Sequence, residues 1–169
     1  MKCGIEPDPV FIKTFVLVPG GQSAQDYRAC ANLVCTNMHL APSGHPAAES
    51  AATLDMLQGC NVFLALDMKA GFHIIPIPTH LQKYAGVVTQ DKLYCWCRMP
   101  FGFNMAPAHF QYVMHTLLDA VPTSRRPNHA TYVDDVHVGG SGLYDTWEGT
   151  LEAICRLTRG GFLLNAWKL

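Results

Sequence analysis

Short apolar and β-branched runs, bounded by Gly and Pro, recur along most of the chain. They predict strands or strand-like segments at Val10–Val18, Val62–Leu66, Gly71–Ile77, Gly86–Thr89, Leu93–Met99 and Phe162–Leu164. The length and bounds of Val62–Leu66 are typical of a strand buried on both faces, and this run ends abruptly at Asp67. An acidic side chain is therefore expected at the carboxyl end of a buried strand.

Other segments have the apolar period of helices. They are Ala47–Gln58, Ala106–Asp119 and Thr146–Arg159. Residues 36–50 and 122–129 carry the Pro and Gly of connecting loops. Because strands and helices mix irregularly, the sequence predicts an α+β fold rather than a regular doubly wound sheet.

The last predicted helix has a start signal and an apolar face. Asp145 and Glu148 have the spacing of a capping box. Trp147, Leu151 and Ile154 share one face, which is the expected packing face.

An acidic turn is the most informative feature of the pattern. Thr131–Val133 and Val136–Val138 are strand-like triplets separated by Asp134 and Asp135, which predicts a hairpin with both aspartates at its tip. Two-residue hairpin loops favour Asn-Gly or Asp-Gly, so two aspartates cost strain and like-charge repulsion there. A bound divalent cation would offset the repulsion. A solvated acidic turn is the simpler alternative.

Asp67 strengthens the metal interpretation. Placed beside the hairpin tip, it would complete a site of three carboxylates, and such hard oxygen ligands suit Mg²⁺. Two ions held in this way could activate a 3′-hydroxyl and stabilise a leaving pyrophosphate. Taken alone, Asp67 is equally consistent with a helix N-cap or a salt-bridged strand end.

Composition and charge narrow the class of protein. The 169 residues are 49% hydrophobic and 15% charged, which excludes a disordered tail and suits one domain or part of a larger one. We expect no membrane span and no secretory signal. Seven Cys without regular spacing favour a reduced, intracellular setting. The net charge of −1 excludes a strongly basic nucleic-acid coat, but not an enzyme whose acidic metal ligands offset a basic channel.

Several motifs follow one another in a fixed order. The most specific are Leu66–His73, Met99–Gln111 and the Tyr-x-Asp-Asp motif Tyr132–Asp135. Weaker ones are Gly4–Pro7, Phe15–Val18, Asp26–Ala29 and Gly161–Asn165 followed by Lys168. Together they cover nearly the whole chain, which resembles the reverse transcriptases of gypsy-type LTR retrotransposons.

The resemblance implies a right-hand polymerase with an antiparallel palm sheet backed by helices. It assigns residues 1–42 and 75–105 to the fingers, and residues 43–74 and 106–169 to the palm. The thumb is expected to be missing, so the isolated chain is expected to be a poor polymerase.

The resemblance also implies the residues of the metal site. These are Asp67, Met68, Val133, Asp134 and Asp135, of which the three aspartates match the family's metal ligands. Lys168 matches a lysine proposed to protonate the leaving pyrophosphate. Without the resemblance, Lys168 would be read as a solvated surface lysine.

Nucleotide and primer contacts are implied in the same way. Phe72, five residues after Asp67, matches an aromatic steric gate against the nucleotide 2′-hydroxyl, although on its own it reads as a core aromatic. The other matches are Phe101 and Gly102 beside the incoming nucleotide, Arg28 and Lys83 as basic fingers positions, and Tyr132 near the primer terminus.

The implied activity is RNA-directed DNA synthesis with two Mg²⁺ ions, or Mn²⁺, on a primed RNA or DNA template with dNTPs. A full element would add RNase H and integrase segments. One alternative is a catalytically decayed remnant that still binds nucleic acid, because residues 19–25 carry no positive charge where the family has a basic run. Another is a palm-type nucleotidyl transferase or cyclase, which the spacing of Phe72 and the segment Met99–Pro107 disfavour.

Overall fold

The structure is a computed structural model that describes residues 15–19, 27–41, 55–90, 92–119, 128–132 and 135–165. The chain divides into two compact units, each built from two stretches of sequence. Unit one comprises residues 1–42 and 72–106, and unit two comprises residues 43–71 and 107–169. The names fingers and palm, with the boundaries predicted for them, stay predictions. Within the described ranges, no helix is long and apolar enough to cross a bilayer.

Strands and helices alternate without a repeating order. In chain order they are β1 (Phe15–Pro19), β2 (Tyr27–Ala31), α1 (Val34–His39), β3 (Val62–Asp67), α2 (Thr79–Gln82), β4 (Gly86–Val88), β5 (Leu93–Cys95), α3 (Ala106–Leu118), β6 (Asn128–Tyr132), β7 (Asp135–Gly140) and α4 (Leu143–Arg159). Short 3₁₀ turns occupy Gly71–Ile74 and Lys83–Ala85. The helix predicted at Ala47–Gln58 lies mostly outside the described residues, as does the loop predicted at 122–129.

Unit one contains two small antiparallel sheets. β1 pairs with β2, and β4 pairs with β5. Part of the loop predicted at residues 36–50 is instead helical, because α1 extends to His39. The strand predicted at Gly71–Ile77 is wrong for Gly71–Ile74, a 3₁₀ turn that closes where the Ile75 N–H donates to the Phe72 carbonyl at 3.2 Å. Its second half is strand-like, since Pro76 forms an isolated antiparallel bridge with Arg98. Phe72 and Ile75 are both buried, which is the three-residue period of a 3₁₀ helix.

Unit two is built on a three-stranded antiparallel sheet with the order β3-β7-β6. One face is covered, and its side chains Leu66, Val136 and Val138 are fully buried. The helix α4 packs on β7 and β3. Below it, Phe110 of α3 meets Phe162 edge-on with ring centroids 5.9 Å apart.

The other face of this sheet is open along β3, which corrects the prediction that β3 is buried on both faces, although Ala130 of β6 is fully buried on that face. Phe63 is 54% exposed and Ala65 is exposed, whereas Leu66 is fully buried. The apolar run is therefore a one-sided strand that exposes an aromatic side chain. Its predicted end at Asp67 is confirmed.

The predicted hairpin forms, but its strands pair two residues away from the predicted register. β6 and β7 pair antiparallel, with Tyr132 opposite Asp135 and Thr131, rather than Val133, opposite Val136. Asp135 is therefore the first residue of β7 rather than a tip residue. Since Ala70 is the only non-Gly residue with positive φ among those described, Asp135 carries none of the predicted backbone strain.

The helix α4 starts three residues earlier than predicted and packs through a different face. Gly142 is its N-cap and makes no side-chain cap, so the capping box of Asp145 and Glu148 is wrong. Trp147 and Leu151, predicted to pack, are 57% and 43% exposed. The buried residues are Thr146, Gly149, Thr150, Ala153 and Leu157.

A close approach of β7 explains why small residues form that face. A Cβ placed on Gly140 would lie 2.8 Å from the Thr146 backbone nitrogen and 2.7 Å from its hydroxyl oxygen. The Thr146 hydroxyl in turn contacts the Val62 carbonyl oxygen at 3.2 Å. A large side chain would not fit at Thr146, where β7 comes closest to the helix, whereas Leu157 near the other end of α4 is fully buried.

We predict that Gly140→Ala destabilises the protein by about 1–3 kcal/mol, because the added Cβ overlaps backbone that cannot move aside easily. Urea denaturation of the purified chain measures this change. Gly142→Ala is the matched control, since its Cβ meets no described atom within 4 Å. Equal stability of Gly140→Ala and the control would contradict the close approach.

Candidate active site

Two of the predicted metal ligands stand opposite each other at the end of the open sheet face. Asp67 of β3 is the cross-strand partner of Asp135 of β7, and Asp135 is also the partner of Tyr132 on β6. Directly opposed residues of antiparallel strands point to the same face, with Cβ atoms about 4.5–5.5 Å apart. The three side chains therefore form one row across the sheet. Asp135 and Tyr132 are exposed, and Asp67 is partly exposed.

Facing carboxylates repel each other, and their chemistry fits a hard cation. Like charges directly opposite destabilise a sheet, and a divalent ion between them reverses the sign of that interaction. Mg²⁺ is commonly held by one or two carboxylates together with substrate phosphates. Asp67 and Asp135 supply such a donor set. No group of three or more Cys, His, Asp or Glu side chains suited to a metal occurs among the described residues, and Asp134 lies outside them.

Asn165 extends this row on the other side of β3, and sequence reasoning gave it no role. Its backbone N–H donates to the Asp67 carbonyl at 2.8 Å, and its side-chain amide donates to Asp67 Oδ2 at 3.0 Å. The neighbouring bridge between Met68 and Leu164 runs antiparallel and holds the segment in place. Asn165 thus orients the Asp67 carboxylate. Only its position in the last motif of the family resemblance pointed to it.

Of the other residues predicted for the metal site and for proton transfer, the structure describes Met68. Met68 follows Asp67 and is buried, with 4% of its surface exposed. Val133, Asp134 and Lys168 lie outside the described residues. Their assignments stay predictions.

Within unit one, two predicted nucleotide-site residues belong to an aromatic cluster. Phe72 meets Phe101 edge-on with ring centroids 5.6 Å apart. His73 also lies edge-on to Phe101 and stacks on Trp96 at 5.7 Å. The His73 Nδ1 donates to the Met99 carbonyl at 3.0 Å, which fixes the imidazole ring. Phe72 is 7% exposed, so it has a packing role whatever else it does.

The backbone at Gly102 requires glycine. Its φ is +113°, and a Cβ there would lie 2.5 Å from the Ala31 carbonyl oxygen. The Asn37 side chain holds this loop by donating to the Gly102 carbonyl at 2.8 Å and accepting from the Asn104 N–H at 3.2 Å. Asn37 had no predicted role, because no spacing rule joins it to residues more than sixty positions away.

The two basic residues predicted for nucleotide binding occupy different elements of unit one. Arg28 lies on β2 opposite Val18. Lys83 begins a 3₁₀ turn, and its ammonium lies 5.2 Å from the ring centroid of Tyr84. The role of Arg28 and Lys83 in nucleotide binding stays a prediction.

The chain is thus an α+β protein with paired acidic residues at the end of an open antiparallel sheet face. A family model described as reverse transcriptase (RNA-dependent DNA polymerase) matches residues 21–169. The chain belongs to the reverse transcriptase family, as the sequence motifs predicted. The narrower assignment to gypsy-type elements stays a prediction.

The relatives that this chain matches include transposon polyproteins. The Transposon Tf2-7 and Tf2-8 polyproteins of Schizosaccharomyces pombe are each 24% identical to this chain over 129 residues, which is 76% of the chain. The matched part is 10% of each polyprotein, so the chain spans about a tenth of these relatives.

Solved structures share the fold. The native prototype foamy virus protease-reverse transcriptase superposes with a TM-score of 0.79 at 22% identity, covering 94% of this chain and 20% of that one. The foamy viral enzyme in complex with an RNA/DNA hybrid gives 0.76 at 22% identity, covering 95% of this chain and 21% of that one. These likenesses confirm the α+β polymerase fold predicted from the sequence.

Proposed function

We propose that this chain carries the catalytic carboxylates of an RNA-directed DNA polymerase, which joins a dNTP to a primer 3′-hydroxyl. The observation that carries the proposal is the pairing of Asp67 with Asp135 on the open sheet face of a reverse transcriptase family member. Asp134, next to Asp135 in sequence, is the third carboxylate of the proposed set. The proposed cofactors are two Mg²⁺ ions, for which Mn²⁺ can substitute.

The chain's own residues have separate tasks in this proposal. Bound divalent ions would supply activation of the 3′-hydroxyl and stabilise the charge on the leaving pyrophosphate. Asp67 and Asp135 supply the negative charge that holds cations at the sheet end. Asn165 keeps one Asp67 oxygen in a fixed direction through its 3.0 Å hydrogen bond. Lys168 is assigned the proton transfer to pyrophosphate.

Nucleotide and template contacts follow from the family resemblance. Phe72 is proposed to select the sugar, Phe101 and Gly102 to line the nucleotide, and Tyr132 to lie near the primer end. Arg28 and Lys83 are the proposed phosphate contacts. The packing of Phe72 on Phe101 supports a shared role for these two side chains.

The proposed partners are dNTPs and a primed RNA or DNA template. Foamy viral reverse transcriptases of the same fold have been solved with double-stranded DNA and with an RNA/DNA hybrid. The polyprotein relatives support further segments in a full element, for which RNase H and integrase are proposed.

Thermal denaturation of this chain with and without Mg²⁺ or Mn²⁺ tests the metal site. A cation that binds the folded state alone should raise Tm by roughly 5–10 °C at a hundred times its Kd. Asp67→Asn and Asp134→Asn should remove most of that rise, and Asn165→Leu should reduce it, since partners that orient metal ligands contribute about 10- to 100-fold in affinity.

Glu148→Gln is the matched control, because Glu148 is an exposed acidic residue on α4. This variant should keep the full metal response. If neither cation raises the Tm of the wild-type chain, the chain is instead a remnant that keeps the fold without the metal site.

A further inference from the structure

The strand β6 differs from its neighbours because its covered face is polar. The side chains that β3 and β7 turn to the covered face include Leu66, Val136 and Val138, all fully buried. From β6 the corresponding residues are Thr131, 2% exposed, and His129, whose side chain is 8% exposed. An apolar face ordinarily sets the register of a strand, since a one-residue slip would expose it. β6 has no such pattern to hold its register.

The helix α3 supplies polar partners for this face. Gln111, His115 and Asp119 recur every four residues along α3 and its end, which places them on one side of the helix. Together with His129 and Thr131 of β6 they form a cluster of polar side chains between α3 and β6. Gln111 Nε2 donates to the Thr131 carbonyl at 3.0 Å and also contacts the Thr131 hydroxyl. His115 Nε2 lies 2.8 Å from Gln111 Nε2, and Asp119 Oδ1 lies 3.3 Å from His129 Nε2.

These contacts can be satisfied in one register alone. If β6 slipped by one residue, Ala130 or Tyr132 would face Gln111, and neither could replace the Thr131 hydroxyl. The slip would also turn Tyr132 away from Asp135. β7 needs no polar contact to set its register, because a one-residue slip would expose the buried side chains of Val136 and Val138.

The amide of Gln111 is not what packing stability alone would select. Its Oε1 is buried and has no hydrogen-bond partner among the described residues. A buried acceptor without a partner costs free energy, whereas an apolar residue of similar size avoids that cost. The Gln111 amide is therefore better explained by the position in which its N–H groups hold Thr131 than by a contribution to folding stability.

We propose that Gln111 is a positioning residue for the Tyr-x-Asp-Asp hairpin: by binding Thr131 it fixes the register of β6, and with it the position of Tyr132 opposite Asp135. The catalytic meaning of this position rests on the proposed function. The register itself does not depend on it.

Gln111→Met tests the proposal, because methionine keeps the length of the side chain and removes both N–H groups. Hydrogen exchange in the full chain should become roughly tenfold faster for the amides of residues 128–138 than for those of α4, since one hydrogen bond to a buried carbonyl is lost. The affinity for Mn²⁺, measured by water-proton relaxation, should fall by roughly 3- to 10-fold. The Tm should stay within a few degrees of wild type.

Met114→Ala is the matched control, since Met114 is fully buried on the same helix and its thioether has no N–H or O–H to donate. It should lower Tm more than Gln111→Met while leaving the ratio of hairpin to α4 exchange and the Mn²⁺ affinity unchanged. Selective hairpin exchange in Gln111→Met supports the positioning role even if wild type binds no Mn²⁺, a result that would count against the proposed function alone. Uniform or unchanged exchange, or the same pattern in Met114→Ala, would overturn the proposal.

Discussion

Asp135→Asn is expected to reduce Mg²⁺-dependent incorporation of a dNTP by roughly 10³-fold or more. A metal ion contributes several kcal/mol to the transition state of phosphoryl transfer, and each 1.36 kcal/mol is a factor of ten in rate. Asparagine keeps the shape of Asp135 and removes its charge. The measurement is single-nucleotide extension of a primed RNA template by this chain joined to the thumb of a family member.

The same substitution separates catalysis from folding. Asp67 and Asp135 oppose each other across β3 and β7, so removing one charge relieves repulsion. Without metal, the Tm of Asp135→Asn should therefore equal or exceed that of wild type. Glu148→Gln should retain activity. Wild-type rates in Asp135→Asn would refute a catalytic role for this carboxylate.

Phe72→Ala is expected to change sugar selection by roughly 10²-fold. A flat aromatic beneath the sugar leaves no volume for a 2′-hydroxyl, and a group that a pocket cannot house costs a few kcal/mol. Removing the ring should raise ribonucleotide use and lower dNTP incorporation less than Asp135→Asn does. The ratio of kcat/KM for dNTP and rNTP in the same extension assay measures the effect.

Phe72 is also buried against Phe101, so its loss should lower stability by about 3–5 kcal/mol in any case. Ile75→Ala is the matched control, because Ile75 is 6% exposed and lies on the same turn. It should cost stability without altering the nucleotide ratio. If a folded Phe72→Ala protein keeps the wild-type ratio of kcat/KM for dNTP and rNTP, Phe72 is a core aromatic and its assignment as a steric gate is wrong.

Elements with a strong apolar period were predicted well. The helix predicted at Ala106–Asp119 is observed at Ala106–Leu118, and its stripe includes the fully buried Phe110 and Met114. The end of β3 at Asp67 was marked by an abrupt change from apolar to acidic. Local patterns of this kind predict which residues are buried, and the same residues are buried by tertiary packing in α3.

Predictions failed where tertiary contacts override local pattern. In α4 the large apolar residues Trp147 and Leu151 are exposed, and the end of the helix that lies against Gly140 buries Thr146 instead. The hairpin pairs two residues away from the predicted register, and β6 packs through Thr131 and His129 rather than through an apolar side. Polar strands give no periodic signal from which a register can be derived.

The candidate site was predicted in part for the same reason. Asp67 and Asp135 stood out because carboxylates at strand ends are chemically conspicuous. Asn165 did not, since it lies 98 positions from Asp67 and an Asn in a terminal segment has no distinguishing pattern. Contacts of this range become visible once β3 and the last segment pair.

The central claim is that the Asp67 and Asp135 carboxylates hold catalytic divalent cations. Anomalous diffraction from crystals of the chain grown with Mn²⁺ tests it most directly, since the scattering locates the ion independently of activity. We predict an anomalous peak from Mn²⁺ about 2.1 Å from oxygens of both Asp67 and Asp135, and its loss in crystals of Asp67→Asn. A peak elsewhere on the protein, or none beside these carboxylates at saturating Mn²⁺, would contradict it.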